Sequence, residues 1–283
     1  ARGNVPAGNL QILRTSPAYI DHVTNLRRAE GGRDQESLEE AKLRARREMR
    51  AQQRAVTAED FENLALRATR AVARINCRAP GAVGSTLPPG MIELLVVPAA
   101  FDAVRAGDLA RLAIETPLRE ELIAYLDRYR LLTTTLRVRA PRYLGVAVAV
   151  ELALGEYSHP ETVRARVLQR LNRFIAPLAL GDAEAFSEMV GQTWDGWPFG
   201  RDLYVSELFS LIQQVPGVQH VLDVQLTYRP VVPVEEVALG VKPPEEQESA
   251  AEAALMPLEG RRLVVPDDTV LCSLAHTVEV VQL

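Results

Sequence analysis

Four histidines, His22, His159, His220 and His276, are the side chains best suited to bind a transition metal or shuttle a proton. They fall in four separate predicted elements and show none of the short spacings that bring two ligands to one helical turn or one loop. No metal site is expected from them. Ser158-His159 sets a hydroxyl beside an imidazole, but this pair reads as the start of a helix rather than as part of a triad. Asp267-Asp268 follows Pro266, and it reads as turn chemistry rather than as a carboxylate pair. The glycines of PGAVGS, Pro80 to Ser85, lack the lysine and the following helix of a phosphate-binding loop. G-x-S-x-G and a dinucleotide fingerprint are likewise missing. Trp194, Trp197 and Phe199 crowd into WDGWPFG with Asp195 between the tryptophans. Paired indoles can stack on sugars, and an aromatic-Pro-Gly cluster ahead of a helix can also be a packed corner. These residues assemble no active site, so neither catalysis nor a cofactor is expected.

Composition narrows the class further. The chain has 283 residues, of which 47% are hydrophobic and 24% charged, enough to bury a core and ordinary for a globular protein. Its net charge of -5 runs against a dedicated nucleic-acid binder, whose affinity comes mostly from neutralising phosphates. Cys77 and Cys272 lie far apart in apolar stretches, which fits small buried thiols better than a disulfide framework. The longest apolar run, Tyr143 to Gly155, falls short of the roughly 20 residues that a membrane-spanning helix needs. No direct membrane insertion is expected. The opening ARGNVPAG has no Met and no signal peptide, and the chain is expected to be a trimmed piece of a longer protein.

Periodicity supplies the scaffold. Pro, Gly and Asn punctuate Ala1 to Gly32, an irregular segment with one or two short strands. Thr57 reads as an N-cap with Glu59 and Asp60 in the first turn, and Phe61, Leu64, Ala65 and Ala68 line one helix face. Strands follow at Ala71 to Ala79 and Met91 to Pro98, then a helix from Pro117 to Tyr129, then strands at Thr135 to Arg139 and Arg142 to Leu154. This order fits a ferredoxin-like split βαβ over Met91 to Leu154. A helix from His159 shows Val163, Val167, Leu171 and Phe174 on one face, and Tyr204, Leu208, Leu211 and Ile212 line another. Val218 to Tyr228 alternates as a strand after the Pro216-Gly217 turn. A Pro- and Glu-rich arm follows, and the chain closes in a small β unit turning at Pro266-Asp267-Asp268. The predicted fold is α+β, with mixed or mostly antiparallel sheets packed with helices and a small C-terminal β unit. Four segments are expected: 1-55 with an N-terminal strand or loop and a protruding helix, 56-155 and 156-230 as α+β domains, and 231-283 as linker and β unit.

The protruding helix explains a local paradox. Arg44, Arg46, Arg47, Arg50 and Arg54 form a basic run in an acidic chain. Asp34, Glu36, Glu39 and Glu40 precede them, an order that matches the helix macrodipole, and Glu40–Arg44 makes a favourable i,i+4 pair. Leu38, Ala41, Ala45 and Met49 leave only a narrow apolar stripe between these charges. Such a stripe cannot bury much alone.

From GGRDQESLEEAKLRARREMRAQQRAVTAEDFENLA onward the sequence resembles the baseplate J-like family, the wedge proteins of contractile phage tails and extracellular contractile injection systems. GWPFGRDLYVSELFSLIQQVPGVQHV is similar to a second block of that family, and LVVPDDTVLCSLAHTVEV to its terminal β unit. Family members of this type carry a further N-terminal portion that is absent here.

The resemblance implies a structural role. Pairs of copies, or two related baseplate wedge subunits, join with a smaller wedge protein, and six wedges circle the spike and hub. They hold the sheath-initiating proteins and relay a signal into sheath contraction. Assembly in the cytoplasm into a tail or injection particle, no catalysis and no cofactor are implied with it. In that setting the helix carrying Leu38, Ala41, Ala45 and Met49, flanked by Arg44 and Arg47, is expected to join an intersubunit bundle. The Trp194, Trp197, Phe199 and Tyr204 corner is expected to brace the body and present Tyr204 and Glu207 to a neighbour. A carbohydrate-binding or hydrolytic tail component is the alternative, supported by the tryptophan pair alone.

Overall fold

The computed structural model describes residues 5-15, 20, 22-29, 37-38, 41-42, 45, 54-82, 85-155, 158-231 and 254-281. Two units divide the chain, Ala1–Arg54 and Ala55–Leu283. In the first, two irregular segments lie side by side. The Gly8 amide donates to the Asn25 carbonyl at 2.9 Å and the Ala29 amide to the Val5 carbonyl at 2.8 Å. The Asn25 amide group cross-links them further, donating to the carbonyls of Pro6 and Arg27 and accepting from the Leu10 amide. Among the described residues these segments form no strand. Leu38, Ala41, Lys42 and Ala45 are helical, and the Ala41 amide reaches the Ser37 carbonyl at 2.9 Å. Leu38 is 70% exposed and Ala45 is exposed. Arg44, Arg47 and Met49, and the Glu40–Arg44 pair, lie outside the described residues.

The second unit begins where Thr57 caps its first helix. The Thr57 hydroxyl accepts from the Asp60 amide at 3.2 Å, and the Asp60 carboxylate accepts in return from the Thr57 amide at 2.9 Å. This reciprocal box satisfies donors that a helix start would otherwise leave unpaired. Helix α1, Ala58–Ala68, buries Phe61, Leu64 and Ala65. Strand β1, Val72–Arg78, then runs antiparallel to β2, Met91–Pro98, and β2 pairs in parallel with β3, Thr135–Arg139. A parallel neighbour demands a crossover. Helix α2, Phe101–Ala106, a single 3-10 turn at Leu109–Leu112, and α3, Thr116–Leu126, provide it. Because β2 and β3 are direct neighbours, the βαβ unit is not split, and β4 departs for another sheet. The ferredoxin-like expectation fails there.

Strand β4, Arg142–Leu154, is the spine of the second sheet. Along one edge it pairs antiparallel with β6, Val218–Val231, which β7, Met256–Pro257, extends. Along its other edge β9, Thr269–Ser273, covers Arg142 to Val146, and β10, Thr277–Val281, covers Ala149 to Ala153, both in parallel. The C-terminal strands therefore complete this sheet by hydrogen bonding directly to its central strand. Helix α4, Pro160–Phe174, buries Val163, Val167, Leu171 and Phe174, and α5, Ala183–Val190, follows it. Helix α6, Val205–Gln213, buries Leu208, Leu211 and Ile212 against β6 and α4. Ahead of α6 a two-residue strand β5, Leu203–Tyr204, pairs with β8, Arg262–Leu263.

A charged seam ties the three-stranded sheet to the C-terminal turn. Glu93, its side chain only 3% exposed, receives Arg139 through Nε at 2.8 Å and Nη2 at 3.1 Å, and Arg78 at 3.1 Å. The other Nη2 bond of Arg139 reaches Asp268 at 3.0 Å, in the turn that the Thr269 amide closes on Pro266 at 2.9 Å. Burial alone would raise the Glu93 carboxyl. The Arg139 bond and the charges of Arg139, Arg137 and Arg78 outweigh it and hold the group below the ordinary carboxylate range. Replacing Arg139 by Met should cost about 3 kcal/mol or more, because the buried carboxylate loses its bidentate partner. Arg137→Met, at a side chain 61% exposed, should cost no more than about 1 kcal/mol. Urea denaturation of both variants measures the difference, and equal effects would contradict the seam.

Candidate functional site

The tryptophan corner is the densest aromatic cluster among the described residues. Phe174, at the end of α4, stacks on Trp194 with centroids 5.3 Å apart and planes 7° from parallel, and meets Trp197 edge-on at 5.3 Å. Phe186 of α5 closes on both Phe174 and Trp194 at 5.2 Å. Trp194 is 2% exposed and Trp197 0%, so a sugar has no indole face to stack on. The carbohydrate reading of WDGWPFG loses its support. The Trp197 indole N–H donates to the Arg201 carbonyl at 2.9 Å, whereas that of Trp194 is buried with no partner among the described residues. Gly196 permits the tight passage between them. Its φ is +117°, and a Cβ there would stand 2.6 Å from the Pro177 carbonyl oxygen.

Two arginines fasten this corner. Arg74, from β1, donates one Nη1 to the Pro177 carbonyl at 2.7 Å and to the Trp197 carbonyl at 2.9 Å, with its guanidinium 5.0 Å over the Phe199 ring. Burial pulls its pKa down to about 10, which leaves it charged at neutral pH. Arg201 lies 4.9 Å over Trp197 and pairs with Glu207. Glu207 also accepts from the Tyr204 amide at 3.3 Å, so its carboxylate is engaged internally. Tyr204 keeps 42% of its surface exposed, beneath Arg262, which pairs with Asp202.

A serine–histidine pair that spacing did not single out sits on the seam between β9 and β10. The two strands cover successive halves of β4, and the gap falls at Ala147 and Val148. There the Val148 amide donates to His276 Nδ1 at 3.0 Å, so the imidazole stands in for a strand's carbonyl. Since Nδ1 accepts, the proton resides on Nε2, which donates to Ser273 Oγ at 2.7 Å. The Ser273 hydroxyl in turn donates to Asn172 Oδ1. A base must accept from its serine, and this imidazole donates to it. The geometry resembles a dyad and has the opposite polarity, so it activates no nucleophile. The cysteines are equally inert: burial pushes Cys272 and Cys77 up to about 12. No group of His, Cys, Asp and Glu among the described residues could hold a metal. No described helix is long and apolar enough to cross a membrane.

Sequence reasoning passed over His276 because it was weighed against other histidines rather than against Ser273, three residues earlier. It also passed over Glu93, although an acid inside MIELLVVP signals a buried ion pair.

Two consequences are measurable. Trp194→Ala should lower stability by about 3 to 5 kcal/mol, through loss of the stack on Phe174 and Phe186, read as a lowered denaturation midpoint. A value below 1 kcal/mol would deny the corner a structural role. Burial pushes His276 down to about 4. Its folded pKa lies below the unfolded value of about 6.5, so the unfolded chain takes up the proton first. The contribution of neutral His276 is full above about pH 6.5 and declines toward pH 4, by about 3 kcal/mol in all. His276→Asn places a carbonyl oxygen near the Nδ1 position without a titrating group. The stability difference between the two proteins should therefore shrink or reverse as pH falls through that window, and a pH-independent difference would contradict the assignment.

The sequence matches no protein-family model and no curated protein. Among solved structures it is similar to a chain of the anti-feeding prophage baseplate, determined by cryo-electron microscopy and 6-fold symmetrised. The identity is 16% and the TM-score 0.54, and the match covers 96% of this chain but 48% of that one. The chain thus spans about half the length of its neighbour, and the likeness is one of fold.

Proposed function

We propose that the chain is a structural baseplate component of a contractile injection system or phage-like tail. The supporting observation is a fold shared along 96% of its length with a chain of the anti-feeding prophage baseplate. The baseplate J-like resemblance, carried by separate blocks of sequence in the same order, supports the same class of particle. In this reading the chain links neighbouring wedges into a ring around the spike and hub, beside a second copy or related subunit and a smaller wedge protein. It couples rearrangement of that ring to sheath contraction. The inverted polarity of the Ser273–His276 pair and the buried Cys272 thiol favour a scaffold over a catalyst.

The intersubunit surface of this proposal is the helix bearing Leu38, Ala41 and Ala45. Leu38 leaves a large apolar side chain 70% exposed, and the two alanines allow a neighbouring helix to approach closely. Ala45→Glu should abolish incorporation into wedges and leave the circular dichroism and melting of the α+β body unchanged. The whole reading is tested by isolating tail-like particles from the producing culture and assaying their baseplate end for this chain by mass spectrometry. The chain should be found there together with sheath and spike proteins. Its absence from particles, with recovery as a lone monomer, would overturn the proposal, and incorporation of the Ala45→Glu chain would overturn the helix assignment.

A further inference from the structure

Among the described residues the charged seam holds more cations than acids. Four guanidinium groups, from Arg78, Arg137, Arg139 and Arg142, converge on two carboxylates, Glu93 and Asp268. Arg78, Glu93 and Arg137 stand in one row across β1, β2 and β3, as the strand register requires. Arg78 and Arg139 bind Glu93 closely from within. Arg137 and Arg142 lie at the rim with side chains 61% and 72% exposed, and their Nε atoms stand 3.7 and 3.5 Å from the acids. Among the described residues neither of these two side chains donates a hydrogen bond. Their planar forks therefore have donors to offer. Asp267, next in the turn, is exposed; with it, the described residues set three acids against these four cations.

We propose that Arg137 and Arg142, backed by the Glu93–Arg139–Asp268 network, form a docking surface for an acidic segment of a protein partner. Arginine pairs with carboxylates through two parallel bonds, and these two exposed forks have donors to make them. The excess amounts to one or two charges in a mosaic of both signs. That suits one or two carboxylates, whereas a nucleic acid favours an extended basic stripe, which a chain of net charge -5 opposes. The proposal goes beyond the baseplate reading and stands on the geometry of this seam alone.

The test uses the purified chain and a fluorescein-labelled oligoglutamate peptide, with oligodeoxythymidine as the competing polyanion. Fluorescence anisotropy should show peptide binding that weakens as salt rises. The double variant Arg137→Glu/Arg142→Glu should weaken it about tenfold or more. A matched variant, Arg105→Glu/Arg111→Glu on the crossover beyond the other end of β2, changes net charge equally and should retain binding. An unchanged melting temperature shows that the rim arginines are not needed for the fold. The proposal is overturned if the unaltered chain does not bind the peptide, if both double variants lose binding alike, if neither does, or if the oligonucleotide binds more tightly than the peptide.

Discussion

The three-stranded sheet and the C-terminal turn are joined through a carboxylate placed where water cannot serve it. Glu93 lies in β2, between strands that bury their neighbours Leu94 to Val97 completely. An acid so placed would cost more than a small domain's margin unless cations met it with good geometry. Arg139 meets it bidentately from β3 and Arg78 from β1, which fixes the register of three strands at one point. The second bond of Arg139 to Asp268 extends that constraint to the turn that launches β9. The three-stranded sheet and the C-terminal strands thus share one electrostatic anchor.

Arg74 performs the matching task at the far end of the same face. It reaches out of β1 to two carbonyls of the aromatic corner, with its cation over Phe199. Removing either arginine would strand buried acceptors rather than merely delete a contact. In that corner Phe174 collects Phe186, Trp194 and Trp197 into one packed group. The Ser273–His276 pair likewise spends its polar groups on the structure. It fills the gap that β9 and β10 leave in the ladder beside Val148. Both anchors and the aromatic group tie distant segments of the second unit to one another.

Much of this was legible in the residues themselves. The Thr57-to-Asp60 cap, the i,i+4 face of α4, and the alternation of β6 each state a local rule that the tertiary structure does not oppose. The short helix α2 was not, since six residues carry too little periodicity to distinguish helix from loop. The parallel pairing of β9 and β10 with β4 was hidden for a different reason. Their partner lies more than a hundred residues away, and a compact C-terminal unit is all that local patterning reveals. The split βαβ failed on the same ground, because nothing in β4's sequence says which sheet receives it. As for the corner, the aromatic types announced a cluster, but burial was needed to decide between a sugar platform and a brace. Arg74 and Arg139 escaped notice because an arginine in a strand looks the same whether it faces water or a carbonyl.

As proposed above, the chain is a scaffold completed by its neighbours in a baseplate ring. The most direct measurement is a cryo-electron microscopy map of the assembled particle that resolves side chains. The claim predicts the chain in the baseplate ring, with Glu93 still bound to Arg139, Trp194 still stacked on Phe174, and the Leu38–Ala45 face covered by another subunit. A map with no density for it in the baseplate, or with that helix facing solvent in the assembled ring, would contradict the claim.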